Sequence, residues 1–337
     1  VKTKPFLLFV GPSIVMMLVF IAGPLITVVV QSFQQTQNVF ETVEQEKCDP
    51  FGCKTTTVTI PKLNKQGRAL KETRWVGLEN YRTLLEWGRV RAAFSKAGQG
   101  FQGVTNIPFW SALRFTLMFT LITLPIVLGI GLVLAFSVNT LLQSLRGPVI
   151  FVSLLPMIIT PIIGALSIRW LFIGDGIITA QLEKLTNQNI SMFAQGWTIE
   201  LLMYVYRVWH SVPFAFIIFY AALQTVQSEQ IEAARIDGAT RWQTVRNVII
   251  PHLMPLLVFV GLIHLMDTYR AFDEVVGLNT AAFRISLQWL TFDFLTPDEA
   301  GNRSIGRASA SAILTMIGIG ILLIFPLRNT WKEQTRG

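Results

Sequence analysis

Two otherwise apolar stretches carry side chains able to recognise a polar ligand. In the first, Arg207, His210, Ser211 and Phe214 recur at spacings of three and four, so a helix would place them on one face, with Trp209 beside it. In the second, His264, Asp267, Thr268 and Ala271 share a face, with Arg270 nearby. An Arg fork, a carboxylate that accepts paired hydrogen bonds and an aromatic platform together suit a hydroxyl-rich ligand. The same residues also permit a plainer role, an Arg207–Asp267 pair that fastens two helices. His264 and Asp267 as a proton relay rank last. Catalysis fits poorly: the chain has three histidines, no His-Glu-x-x-His and no Gly-x-Ser-x-Gly. No catalytic residue and no metal ligand set is expected. The run Gly301-Asn302-Arg303-Ser304-Ile305-Gly306-Arg307-Ala308 has the glycines of a phosphate loop but lacks its Lys and Ser/Thr. The chain is therefore expected to bind no nucleotide itself.

The elements that carry these groups belong in lipid. Of 337 residues, 52% are hydrophobic and only 14% charged, against about 25% charged in ordinary soluble chains. Mean hydropathy is +0.51. Crossing a hydrocarbon layer of ~30 Å takes about 20 apolar residues. Six runs qualify: Phe6–Val30, Ser111–Val138, Pro148–Ile173, Glu200–Val226, Leu253–Leu278 and Arg307–Leu327. The fifth is the weakest, because Asp267, Arg270, Asp273 and Glu274 interrupt it. It is kept because such groups can face a bundle interior or a watery cavity. The predicted fold class is all-α and polytopic. Its divisions are 1–30 (N-terminus and first span), 31–110 (extracytoplasmic insertion), 111–327 (transmembrane core) and 328–337 (cytoplasmic tail).

Lys and Arg in short loops set the orientation. With the N-terminus inside, the cytoplasmic pieces hold nine of them: Lys2, Lys4, Arg146, Arg235, Arg241, Arg246, Arg328, Lys332 and Arg336. The two short outer loops hold three, Lys184, Arg284 and Arg303. Both termini are thus expected in the cytoplasm. The net charge of +8 does not indicate nucleic acid, because no basic run lies beside stacking aromatics. The first apolar run is too long for a signal-peptide core and lacks a small-residue cleavage site, so it reads as an uncleaved span.

Segment 31–110 is the one stretch able to form a water-exposed module. Thr55–Ile60 favours a strand and Leu78–Trp87 a short helix, which makes a small hairpin-plus-helix cap. Cys48 and Cys53 flank Asp-Pro-Phe-Gly, a turn sequence, on the outer side. A small disulfide loop is the expectation there, with two inert thiols as the alternative. Two cysteines are too few ligands for a closed zinc site.

Between spans four and five, residues 227–252 are too polar for lipid yet patterned for order. Ser228 can cap a helix over Glu229–Asp237, and Gly238 permits the left-handed turn that ends it. A second helix then carries Trp242, Val245 and Ile249 on one face, with Pro251 near its end. This pattern fits a docking knob for a partner and equally a helix lying on the membrane surface, helped by Arg235, Arg241 and Arg246.

The residues of that connector resemble the EAA motif of permease subunits in binding-protein-dependent ABC importers. Glu232, Ala233, Ala234, Gly238 and Pro251 match at the family's spacing, with Val248 and Ile250 as conservative departures. The flanks Ala222-Leu223-Gln224 and Ile236-Asp237-Gly238-Ala239, and Val76-Gly77-Leu78-Glu79-Asn80-Tyr81, resemble the carbohydrate-uptake, maltose-type branch. Two features depart from it: Asn279-Thr280-Ala281-Ala282 replaces the usual Gly-Gly-Pro, and the cysteine-bearing insertion is unusual.

The resemblance implies a bacterial inner-membrane permease that pairs with a second, similar permease and with a soluble solute-binding protein outside. Two ATPase subunits, which hold the ATP and magnesium, would grip the connector through Glu232, Ala233, Ala234, Asp237, Gly238, Trp242 and Pro251. It also implies a sugar substrate held by groups of spans four and five; an anionic derivative suits Arg207, His210 and Arg270, but the nearby acids count against it. The rival reading is an ion-coupled carrier or channel subunit that needs no ATP.

Overall fold

The computed structural model describes residues 3–49, 52–64, 67, 70–95, 100–189, 191–298 and 301–334. Among them, six helices are long and apolar enough to cross a membrane: Leu8–Ser32, Pro108–Thr140, Pro161–Thr186, Gly196–Leu223, Arg241–Tyr269 and Ile305–Arg328. The chain divides into two compact units, Val1–Phe109 with Leu290–Met316, and Trp110–Trp289 with Ile317–Gly337.

In the first unit the insertion contains both predicted kinds of element. Thr55–Ile60 lies in the strand Gly52–Pro61, which pairs antiparallel with Phe40–Asp49. A second pair, which sequence patterning did not reveal, joins Gln34–Asn38 to Lys71–Trp75. The short helix predicted at Leu78–Trp87 forms as Glu79–Leu85. Phe33, at the end of the first span, stacks on Trp75 at 5.6 Å and meets Tyr81 at 5.9 Å. Asn80 then ties span to strand, its Nδ2 donating to Ser32 O at 2.8 Å and to Gln34 O at 3.0 Å. The backbone sets Cys48 opposite Cys53. Their turn residues Pro50 and Phe51, and both cysteine side chains, lie outside what is described.

The second unit packs span two against spans four and five. Val127, Ala135 and Val138 meet Val212, Ala215, Phe216 and Phe219, with Leu253 and Val260 closing the cluster. Backbones approach closely where residues are small: a Cβ on Gly131 would sit 2.8 Å from that of Ala215. Large apolar side chains such as Leu121, Val133, Phe151 and Ile158 stay exposed, as a lipid-facing surface requires. In the first unit, Ser311 and Thr315 of the last span are buried, and Ser311 Oγ lies 2.7 Å from Thr291 Oγ1.

Prolines shape the spans in two ways. The predicted third span is broken: one helix covers Gln143–Ile158 and the next begins at Pro161, with Ile159 and Thr160 extended between them. Proline disfavours the helical conformation for the residue before it, and its own missing N–H is harmless at a helix start. Pro24 and Pro251 instead sit inside continuous helix, and each follows a π-helical turn, Leu18–Ala22 and Val245–Ile249. In both, the residue before proline donates to a carbonyl five positions back, Gly23 to Leu18 and Ile250 to Val245. Widening the turn relieves the clash between the ring and the carbonyl four residues earlier.

Candidate functional site

The connector begins with a helix over Ser228–Ile236. Ser228 is its first residue; Gln227 occupies the cap position and makes no capping hydrogen bond, so the expected Ser228 cap is not formed. The other end is well defined. Gly238 has φ +78, its N–H donates to Arg235 O at 3.0 Å, and Ala239 N–H donates to Ala234 O at 2.9 Å. These two bonds around a left-handed glycine form a Schellman motif, which satisfies the helix's last carbonyls. A new helix then starts at Thr240, which makes a capping box with Gln243. It was expected to stop near Pro251. Instead it runs through the π turn into span five, so Arg241–Tyr269 is one rod and Trp242 rides on the end of a transmembrane helix.

Both legs of the knob are tied. Gln224 Nε2 donates to Asn139 Oδ1 at 3.0 Å, and Thr225 Oγ1 lies 3.0 Å from His252 Nε2. The elbow between them is open: Glu232, Ala233, Asp237 and Gly238 are exposed. Ile236 is 86% and Trp242 67% exposed, so two large apolar side chains stand beside the motif with nothing over them. The elbow therefore presents apolar groups outward beside a helix end closed by the Schellman turn.

In the membrane part, the structure brings most of the predicted polar groups together. His210, Ser211, Phe214, His264 and Asp267 line a cavity of about 220 Å³, with Val127, Met157, Val260 and Ile263. Arg207 lies behind it, buried, with Nη2 donating to Asp267 Oδ2 at 2.9 Å. The Asp267 side chain is 62% exposed. His264 and Thr268 are buried too; Thr268 donates to His264 O, and His264 Nε2 lies 3.1 Å from both Thr268 Oγ1 and Thr123 Oγ1. His210 Nε2 donates at 3.2 Å to Ile159 O, a carbonyl at the break in span three. Trp209 is exposed and lines a separate apolar groove with Ile126, Ile130, Val205 and Pro213. Arg270 is exposed and lines neither space.

Glu274 escaped sequence reasoning. Span five ends at Tyr269, and after Arg270–Phe272 a short helix, Asp273–Gly277, packs back against the helix Pro161–Phe172. The fit is close, since a Cβ on Gly277 would lie 2.5 Å from that of Ala165. This turn buries Glu274 with 1% of its side chain exposed and places Oε1 2.9 Å from Arg207 Nη1, misaligned for a hydrogen bond. Arg207 thus holds two carboxylates, one exposed and one buried. The only signal in sequence was the run of charges that interrupts the fifth apolar segment; its partner could not be seen without the bend at 270–272.

Residues 109–328 match the family described as "Binding-protein-dependent transport system inner membrane component". Relatives include the diacetylchitobiose uptake system permease protein DasB of Streptomyces coelicolor, 26% identical over 82% of this chain and 80% of that one. The arabinooligosaccharides transport system permease protein AraP of Bacillus subtilis is 25% identical over 99% of this chain and 91% of that one. In fold, the chain resembles one from a bacterial ABC transporter involved in the import of the acidic polysaccharide alginate, with a TM-score of 0.67, 18% identity, and coverage of 98% and 96%. An exposed, capped connector carrying the family's motif, six apolar spans and a family match over most of the length converge on one assignment: the chain belongs to the binding-protein-dependent inner-membrane components, as a multi-pass permease subunit of an ABC importer.

Proposed function

We propose that the chain forms, with a second permease, the translocation path of an ATP-driven sugar importer. Connector 227–252 serves as the surface gripped by an ATPase. The single observation that carries this reading is the exposed elbow, with Glu232, Ala233, Asp237 and Gly238 beside uncovered Ile236 and Trp242. ATP and magnesium would be held by two ATPase subunits, so hydrolysis is not this chain's chemistry. Closure of those subunits would push on a knob that is continuous with span five, and Asp267 and His264 ride on that same rod. Both chain ends lie with the connector on the cytoplasmic side, as the Lys and Arg distribution supports. A sugar-loaded solute-binding protein would deliver its cargo from the opposite side.

The sugar class is supported by the substrates named for DasB and AraP. His210, Ser211, His264 and Asp267 line the small cavity and would meet the sugar's hydroxyls; Arg207 would hold Asp267, and Thr268 and Thr123 would hold His264. Trp209 and Arg270 stand outside that cavity and would act at other points of the path. The test is reconstitution. Uptake should require both permeases, the ATPases and the binding protein, and the purified chain alone should move no sugar. Transport by this chain alone without nucleotide would establish the carrier reading instead.

A further inference from the structure

The cavity between spans four and five carries a charge balance that distinguishes one class of sugar from another. We propose that it admits uncharged and amino saccharides and turns away those bearing a carboxylate or phosphate, with Glu274 as the residue that sets the choice; the class named rests on the sugar-importer reading above.

The cavity offers an acceptor and withholds its cation. Asp267 lines it, with 62% of its side chain exposed. Arg207 takes only Oδ2, so Oδ1 has no donor among the described residues and is open to a ligand. The Arg207 guanidinium is not open in the same way. Its side chain is 6% exposed and does not line the cavity. Nη2 holds Asp267, and Nη1 faces the buried Glu274 carboxylate at 2.9 Å.

Formal charges then decide the sign. Arg207 offsets one carboxylate of the pair Asp267 and Glu274, which leaves one negative charge over. The neighbours Arg270 and Asp273 add one charge of each sign and do not alter that balance. Arg270 Nε also turns back to donate to Met266 O at 3.3 Å, along its own helix. Were position 274 uncharged, Arg207 and Asp267 would cancel, and the cavity would favour neither sign. Val127, Met157, Phe214, Val260 and Ile263 form apolar walls that screen the excess charge poorly. A ligand carboxylate would therefore meet Asp267 with no free cation to pair with. A hydroxyl or ammonium group can donate to Oδ1 instead.

The experiment reads the cavity's charge and its occupant separately, on the full chain in lipid nanodiscs without solute-binding protein. Ser211→Cys places a thiol on the cavity wall. Its rates with a cationic trimethylammonium-ethyl and an anionic sulfonato-ethyl methanethiosulfonate are compared, after subtracting the reaction of the chain without that substitution. The cationic reagent should gain about tenfold over the ratio shown by a free thiol in solution. Adding Asp267→Asn or Glu274→Gln should bring the ratio back toward the free-thiol value, whereas Glu274→Asp should keep it. Loosened packing alone would change both rates alike and leave their ratio where it was. Labelling is then repeated with saccharides present. At least one of diacetylchitobiose, arabinotriose and chitobiose should protect the thiol, and digalacturonate should not. A ratio equal to that of a free thiol, or one unmoved by Glu274→Gln, would overturn the charge assignment even in a working sugar importer. Protection by digalacturonate as strong as by a neutral sugar would overturn the selectivity. A negative cavity that no saccharide protects would instead remove the sugar reading, and the class named here with it.

Discussion

Gly238 offers a clean perturbation of the elbow. Its φ is +78, and a Cβ built there meets nothing within 4 Å. A substitution therefore costs only what the left-handed backbone costs an L-residue, about 1–2 kcal/mol for Ala. Asn tolerates that region better than Ala, and a β-branched residue tolerates it worst. The elbow should lose order in the sequence Gly, Asn, Ala, Val. If docking needs the formed elbow, apparent affinity for the ATPase falls by the fraction of chains that keep it. For Ala, 1–2 kcal/mol sets a ceiling of about 5- to 30-fold. The assay is co-purification of the ATPase with each variant, alongside membrane insertion and expression, which should not change because no packing contact is touched. Equal ATPase retention by Gly, Ala and Val would refute the reasoning, and so would a loss that tracks side-chain size while Asn and Ala behave alike.

Other consequences follow from the packing. Arg207→Met should lower thermal stability in detergent by about 3–5 kcal/mol, because it strands Glu274 as an unpaired buried charge; adding Glu274→Gln should restore much of the loss, and a double variant no better than the single would contradict the pairing. Gly277→Ala should cost about 1–3 kcal/mol through overpacking against Ala165 and the Ile162 carbonyl, read as a lower melting temperature. If Cys48 and Cys53 are bridged, as their facing positions suggest, a thiol-reactive maleimide should label the chain only after reduction; labelling without reductant would leave two free thiols.

The long apolar periods and the connector motif were legible because each is local. Span length follows from a run of residues, and the Schellman turn from one glycine at the end of one short helix. What stayed hidden was set by partners far along the chain. Gln34–Asn38 reads as a polar loop because its pairing with Lys71–Trp75 lies 37 residues away at Thr36 and Thr73. Glu274 looked like a break in a span, since only the bend at 270–272 turns it toward Arg207. Proline was ambiguous in sequence for a physical reason. Pro161 ends a helix by starting another, whereas Pro24 and Pro251 are absorbed by a π turn. The same residue type permits both, and the surrounding packing decides.

The most direct test of the docking surface places a photo-crosslinking amino acid at Trp242 in the assembled transporter. Trp242 is exposed at the tip of the rod that continues into span five. Irradiation should join this chain to the ATPase subunit, and the yield should fall in Gly238→Val. Crosslinks to lipid alone, or to the solute-binding protein, would show the elbow lying on the membrane or facing the wrong side, and would contradict the proposed coupling.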